Sequence, residues 1–144
     1  MRKPKSSRLL QTIAALCAVS LAFYVTGAAQ APAPHYEGQV SRVVDGDTFY
    51  LDSVETRIRI WGLDAPERGE RGGNAATRAL REIAHGRRLD CKQVDIDRYG
   101  RIVGQCFLPD GRDVAALMIE SGTAQEYLRY SGGYYSTLKF ASSN

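Results

Sequence analysis

Residues 57–67 read RIRIWGLDAPE, and the fold turns on how this stretch is read. Arg57 and Arg59 alternate with Ile58 and Ile60, so a strand here buries the isoleucines and holds both arginines on the opposite face. Trp61 and Gly62 end the strand. Two carboxylates, Asp64 and Glu67, follow on a chain that Pro66 stiffens. Arginine followed by two carboxylates is most simply a surface ion-pair patch, which contributes little to stability. The same residues would also serve to hold a cation beside a phosphate.

Upstream, Val40, Val43 and Val44 and then TFYL at 48–51 are β-rich runs separated by DGD at 45–47, a turn signal. DSVE at 52–55 is a second turn, leading into a strand over 56–61. Downstream, residues 75–84 (AATRALREIA) place Ala76, Leu80, Ile83 and Ala84 on one helical face, with Asn74 as the expected cap and Gly86 just past the end. Residues 89–108 read as two strands about a tight turn near 98–100, PDGR at 109–112 as another turn, and residues 114–122 as a short helix ending at Gly122. Strands in succession, a helix among them and turn residues at short intervals predict a small Greek-key barrel carrying helices.

Residues 1–31 stand apart from this pattern. They hold a basic start, an apolar run over about residues 9–25 and the small-x-small triplet Ala29-Gln30-Ala31, the layout of a secretory signal peptide. An uncleaved anchor is the alternative, although the apolar run is marginal for a span. Export to the periplasm or the medium, with cleavage, is the expectation. Residues 32–37 then form a Pro/Ala linker and residues 38–144 the domain. Arg2, Lys3, Lys5 and Arg8 leave with the leader and no acid does, so the formal net charge falls from +3 to −1. That excludes a global basic field for nucleic acid and leaves any phosphate binding to locally placed arginines. The mature part is Arg-rich and Lys-poor, which suits bidentate phosphate contacts.

Cys17 falls within the leader, leaving Cys91 and Cys106 as a pair. They are too few, and too poor in histidine neighbours, for a zinc site. In an exported chain a disulfide is the default. Register supports it. With the turn centred between Arg98 and Tyr99, Cys91 opposes Cys106, Val94 opposes Val103 and Asp97 opposes Gly100, and opposed residues share a face at near-disulfide separation. A one-residue slip would instead send the thiols to opposite faces, as two small apolar residues.

Three motifs, DGDT (45–48), RIWGLDAPE (59–67) and DRYGR (97–101), in this order and at these spacings resemble the staphylococcal nuclease (thermonuclease) family over roughly residues 36–135. The resemblance implies an α+β, mainly β fold, a five-stranded oligonucleotide-binding (OB-fold) barrel with two to three helices. It also implies a Ca²⁺-dependent phosphodiesterase acting on DNA and RNA. By matching position it makes Asp47 and Asp64 metal carboxylates, with the backbone carbonyl of Ala65 a further ligand and Asp45 behind them. It puts Glu67 beside the attacking water, Arg59 and Arg101 on the reacting phosphate, and Arg98 and Tyr99 near a neighbouring phosphate. Such a protein is expected to act as a monomer, with no stable membrane association once its leader is cleaved.

The chemistry of these residue types agrees. Two carboxylates, a carbonyl and waters make a hard, all-oxygen site of the kind Ca²⁺ accepts. A cation with two guanidinium forks answers charge gathering on the non-bridging phosphate oxygens, and Glu67 can act as general base. Singly, each residue has a plainer reading: Asp45 and Asp47 in a favoured Asp-Gly turn, Asp64 paired with Arg59, Arg101 a solvated strand residue. Their joint occurrence favours the site. Tyr127, Tyr130, Tyr134 and Tyr135 could stack bases or simply pack, and His35 and His85 read as surface residues. Two features depart from the family: the loop RGERGGN at 68–74 is short, and GGYYSTLKFASSN at 132–144 stops where a last amphipathic helix would continue, so that helix is expected to be truncated. Two other readings stand beside the nuclease: a non-catalytic binding module on the same barrel, and an exported protein of an exopolysaccharide or envelope process.

Overall fold

The computed structural model describes residues 31–142, and the expected leader lies outside these residues except for Ala31. Alternation sets the strands. In β1 (His35–Val43), β2 (Thr48–Leu51) and β3 (Ile58–Ile60) the inward positions are Val40, Val43, Phe49, Leu51, Ile58 and Ile60, all buried. β5 (Arg88–Ile96) and β6 (Ile102–Phe107) add Leu89, Cys91, Ile102 and Cys106. The strands close into a barrel in the order β1-β2-β3-β6-β5, with β5 pairing back onto β1 and β3 lying parallel to β6. A separate two-stranded piece pairs β4 (Leu63–Asp64) with β7 (Gln125–Glu126). The expected barrel of five strands is the one observed. β1 begins earlier than expected, however: residues 35–37, read as linker, pair with Lys92, Cys91 and Asp90 of β5.

Four helices occur among the described residues, where two to three were expected. These are α1 (Gly73–Ala84), α2 (Val114–Glu120), α3 (Leu128–Ser131) and α4 (Tyr134–Ser142). α1 buries Ala76, Leu80 and Ala84 as its periodicity predicts, and α2 buries Val114, Ala115 and Met118. Asp113 caps α2, accepting from the Ala115 and Ala116 amides. The last two helices are organised by a side chain with no periodic signature. The Glu126 carboxylate accepts from the Tyr135 and Ser136 amides at 2.9 Å each and from the Ser131 hydroxyl at 2.6 Å. It thereby closes the start of α4 against α3. These bonds hold Glu126 below the usual carboxylate range, although its burial works the other way.

The Asn74 cap is not found. α1 starts two residues earlier than expected, at Gly73, after Gly72 in a left-handed conformation (φ 94°) and without a side-chain cap. A backbone turn does the capping instead: the Gly73 amide donates to the Glu70 carbonyl at 3.1 Å, and Ala76 donates to Gly72 at 2.9 Å. Asn74 is left exposed in the first turn.

The β5–β6 hairpin corrects two of the three expected pairings. Cys91 faces Cys106 and Gln93 faces Gly104, but beyond a bulge at Val94 the register changes, so that Asp95 faces Val103 and Ile96 faces Ile102. Val94 therefore does not oppose Val103. Asp97 turns onto Arg101 rather than Gly100, its amide donating to the Arg101 carbonyl at 3.0 Å. The cysteines lie before the bulge and escape the shift. They are joined as a disulfide, with Cα atoms 4.0 Å apart and both residues fully buried.

Candidate functional site

The turn at 45–47 is built to aim a carboxylate inward. The Asp45 side chain accepts from the Asp47 amide at 3.1 Å, and the Val44 amide reaches the Thr48 carbonyl at 2.8 Å, which tightens the loop. The Ile60 amide donates to the Asp47 carbonyl at 2.8 Å and ties the turn to β3. Asp47 ends 3 % exposed, an expensive place for a charge unless it is paired. The pairing is complete. Arg59 Nη1 lies 2.5 Å from one carboxylate oxygen, and the Thr48 hydroxyl donates to the other at 2.8 Å. The second Arg59 nitrogen donates to the Leu63 carbonyl at 3.3 Å, immediately before Asp64. One guanidinium thus clamps the turn carrying Asp47 to the strand carrying Asp64.

Asp64, Ala65, Pro66 and Glu67 form one wall of an open cleft of about 800 Å³, continued by Glu70, Arg71, Gly72 and Ala75. The opposite wall is the segment 122–125, positioned because β7 pairs Gln125 with Asp64. Asp64 and Glu67 are exposed to it, and the Glu70 carboxylate accepts from the Glu67 amide at 3.0 Å. Two glycines let the backbones come this close. A Cβ on Gly46 would lie 2.6 Å from the Ala76 Cβ and 2.7 Å from the Ala65 Cβ, and a Cβ on Gly73 would strike the Glu67 carbonyl. The turn bearing Asp47 and the segment bearing Glu67 therefore both rest against α1.

Arg98, Tyr99 and Arg101 gather separately, at the β5–β6 turn. Arg101 lies on the outward face that carries Arg59, since β3 and β6 pair Ile58 with Ile102 and Arg59 with Val103. Its guanidinium is bonded to Asp97, at 2.6 Å. Arg98 lies over the Tyr99 ring, with 4.7 Å from its guanidinium carbon to the ring centre. Among the described residues no hydrogen bond or ion pair joins these three to Asp47, Asp64 or Glu67. Burial raises Asp97, but bonds from the Arg101 amide and guanidinium and from the Tyr99 amide hold it below its ordinary value.

Of the tyrosines, Tyr135 is buried against Trp61 and donates to Asp113 at 3.1 Å, while Tyr130 and Tyr134 are exposed. His35 and His85 are both at the surface. Thr48, Glu70 and the 122–125 wall were not anticipated as parts of the site. Thr48 had a local signal in DGDT; the wall had none, because a two-residue strand carries no period.

Burial pushes the Asp47 carboxyl up to about 6, with Arg59 pulling it down and Asp45 pushing it up again. The folded protein therefore holds this proton more tightly than the unfolded chain, whose value is 3.8. The stability this contributes is fully present below pH 3.8 and lost as pH rises through about 6. Asp47→Asn removes the effect. In metal-free buffer its stability relative to wild type should improve between pH 4 and 7 by up to about 3 kcal/mol. Urea midpoints measured in chelator check this, and a pH-independent difference would contradict it.

A closed mixed barrel of the oligonucleotide-binding type, with a carboxylate-walled cleft held by one partly buried arginine clamp, is the class that fold and site define. A family model described as "Staphylococcal nuclease homologue" matches residues 57–143, more than half of the chain. An uncharacterized endonuclease of Escherichia coli is 38 % identical over 96 residues, which cover 65 % of this chain and 63 % of that protein. A succinoglycan biosynthesis protein, ExoI, of Rhizobium meliloti is 36 % identical over 151 residues, covering 94 % of this chain and 75 % of that one. A micrococcal nuclease of Shigella flexneri is 32 % identical over 130 residues, covering 83 % and 74 %. The chain belongs to the staphylococcal nuclease family. It spans 63 % of the length of the E. coli endonuclease it matches.

Proposed function

We propose that this protein is a Ca²⁺-dependent phosphodiesterase that hydrolyses DNA and RNA. The observation that carries the reading is the Arg59 clamp, which ties the buried Asp47 carboxylate to the Leu63 carbonyl, one residue before Asp64 on the cleft wall. Asp47, Asp64 and the Ala65 carbonyl would hold the cation. The donors are oxygen alone, and the Ala65 carbonyl accepts no backbone hydrogen bond among the described residues, so the set fits a hard divalent ion. Such an ion, when bound, supplies positive charge to the non-bridging phosphate oxygens. Glu67, exposed on the cleft wall, accepts the proton of the attacking water as the bond from phosphorus to the leaving oxygen breaks. Arg59 and Arg101 orient the phosphate, and Arg98 with Tyr99 a neighbouring one. The protein is exported, a reading that its disulfide and basic-apolar leader sequence support, and acts as a monomer.

Plasmid degradation by the full chain tests this. Activity should require calcium, vanish in excess chelator, and not return with zinc. Glu67→Gln should lower turnover by about 10²–10⁴-fold while leaving calcium affinity unchanged. Full activity in chelator would sink the calcium reading, and wild-type turnover in Glu67→Gln would remove its role as base. The likeness to the succinoglycan biosynthesis protein, over 94 % of the chain, favours a second reading in which the protein serves an exopolysaccharide process. Altered exopolysaccharide in a deletion strain, with no nucleic-acid cleavage by the purified protein, would support it over the first.

A further inference from the structure

We propose that a second phosphate site lies outside the catalytic cleft, on the outer face of α1, and takes a phosphodiester of the same nucleic-acid strand. Asn74, Arg78 and Arg81 recur at helical spacing and so form one exposed stripe. With Thr77 and Arg68 they line a pocket of about 410 Å³ that has three arginines and no acid in its wall. Arg68, Arg78 and Arg81 are exposed and make no ion pair among the described residues.

This arrangement is not a consequence of bulk charge, since the domain after the leader is close to neutral. Several other arginines are neutralised by acids: Arg88 pairs with Glu37, Arg101 with Asp97 and Arg112 with Asp110. Glu82 lies one turn beyond Arg78 and shares a neighbouring pocket with Arg81, yet it pairs with neither among the described residues. Like charges at i and i+3 repel along a helix. An anion spanning Arg78 and Arg81 relieves that repulsion, and guanidinium forks match phosphate geometry.

The position makes it a continuation of the cleft. Glu67 and Ala75 line the cleft, whereas their chain neighbours Arg68 and Asn74 line the arginine pocket, so the segment 67–75 is the ridge between the two. A strand leaving the cleft over this ridge meets the three arginines next. The identity of the strand rests on the nuclease reading above. The contact itself needs no cation and no catalysis.

The experiment uses the full chain in excess chelator, where nothing is cut, and follows binding of a labelled 12-nucleotide single strand by anisotropy across salt concentrations. The Arg68→Gln, Arg78→Gln, Arg81→Gln triple variant should bind at least about tenfold more weakly. Its salt slope should fall by about 0.7 for each phosphate that the variant no longer neutralises. Gln keeps helix propensity, and circular dichroism confirms folding. Arg81→Lys should hold most of the slope, and inorganic phosphate should compete with the strand on wild type only. Arg129→Gln, an exposed arginine on α3, should leave the slope unchanged. An unchanged slope in the triple variant overturns the site, as does an equal loss in Arg129→Gln, which would reduce it to bulk charge. A protein that binds as expected yet never cleaves with calcium would instead count against the nuclease reading alone.

Discussion

Arg59→Met should lower phosphodiester turnover by about 10²–10³-fold and destabilise the protein by roughly 3 kcal/mol. Both effects come from one guanidinium. Its side chain is 18 % exposed and that of Asp47 4 %, so the pair lies largely out of water, where losing one partner strands the other. Asp47, already pushed up to about 6 with the arginine present, would take a proton at neutral pH once that charge is gone. A protonated carboxyl is a poor ligand for a cation, and the strand carrying Asp64 would lose its tie through the Leu63 carbonyl. Arg59→Lys separates the two roles. It keeps a positive charge beside Asp47 and should retain most of the stability, but a point charge cannot bind Asp47 and Leu63 at once while facing a phosphate, so turnover should still fall. Arg59→Met with Asp47→Asn should recover stability and not activity. Denaturant midpoints beside plasmid-degradation rates check all three, and an Arg59→Met protein of wild-type stability would show that the clamp does not hold the loop.

The disulfide should account for roughly 3 kcal/mol of stability, from closing a loop of sequence separation 15. Both sulfurs lie in the barrel core, with Gly104 against them: a Cβ there would meet Cys91 Cβ at 3.5 Å and Cys106 Sγ at 3.6 Å. Cys91→Ala with Cys106→Ala removes the cross-link and leaves a small void in place of two sulfurs, so the measured loss should slightly exceed the chain-entropy figure. Unfolded, unreduced protein should titrate with no free thiol at positions 91 and 106. Two free thiols there would refute the bridge, and an unchanged melting temperature on reduction would refute its contribution.

Much of the fold was legible because it rests on local alternation. Ile58 and Ile60 face inward with Arg59 outward, as the period of two requires, and Ala76, Leu80 and Ala84 face inward at helical spacing. The cysteine pairing was reached through a turn centre that the structure does not have. It held because the bulge at Val94 lies between the turn and the cysteines, so the changed register affects Val94 and Asp97 but not Cys91. No sequence signal marks such a bulge. Asn74 looked like a cap, but Gly72 already turned the chain by a conformation open to glycine, and backbone carbonyls took the free amides. At the site, the residue types were legible and the partnerships were not. Arg59 read as a phosphate contact, whereas its shortest bond is to Asp47, a residue brought to it by the β2–β3 pairing of Thr48 with Arg59. Glu126, which closes the start of α4, acts through amides nine and ten positions away, beyond any periodic reading.

The close approach of Gly46 and Gly73 to their neighbours constrains how this sequence can vary. The turn bearing Asp47 touches Ala76 and Ala65 through Gly46, and the backbone of Glu67 touches the same helix through Gly73. Helix α1 is thus the common gauge against which both arms of the cleft are set, and neither arm can be adjusted alone. At position 46 a side chain fits only if Ala65 and Ala76 both give way, whereas at position 73 the obstacle is the Glu67 backbone itself and glycine alone fits. Side chains on the exposed walls of the cleft can change without disturbing the spacing of its arms, which the packing on α1 sets.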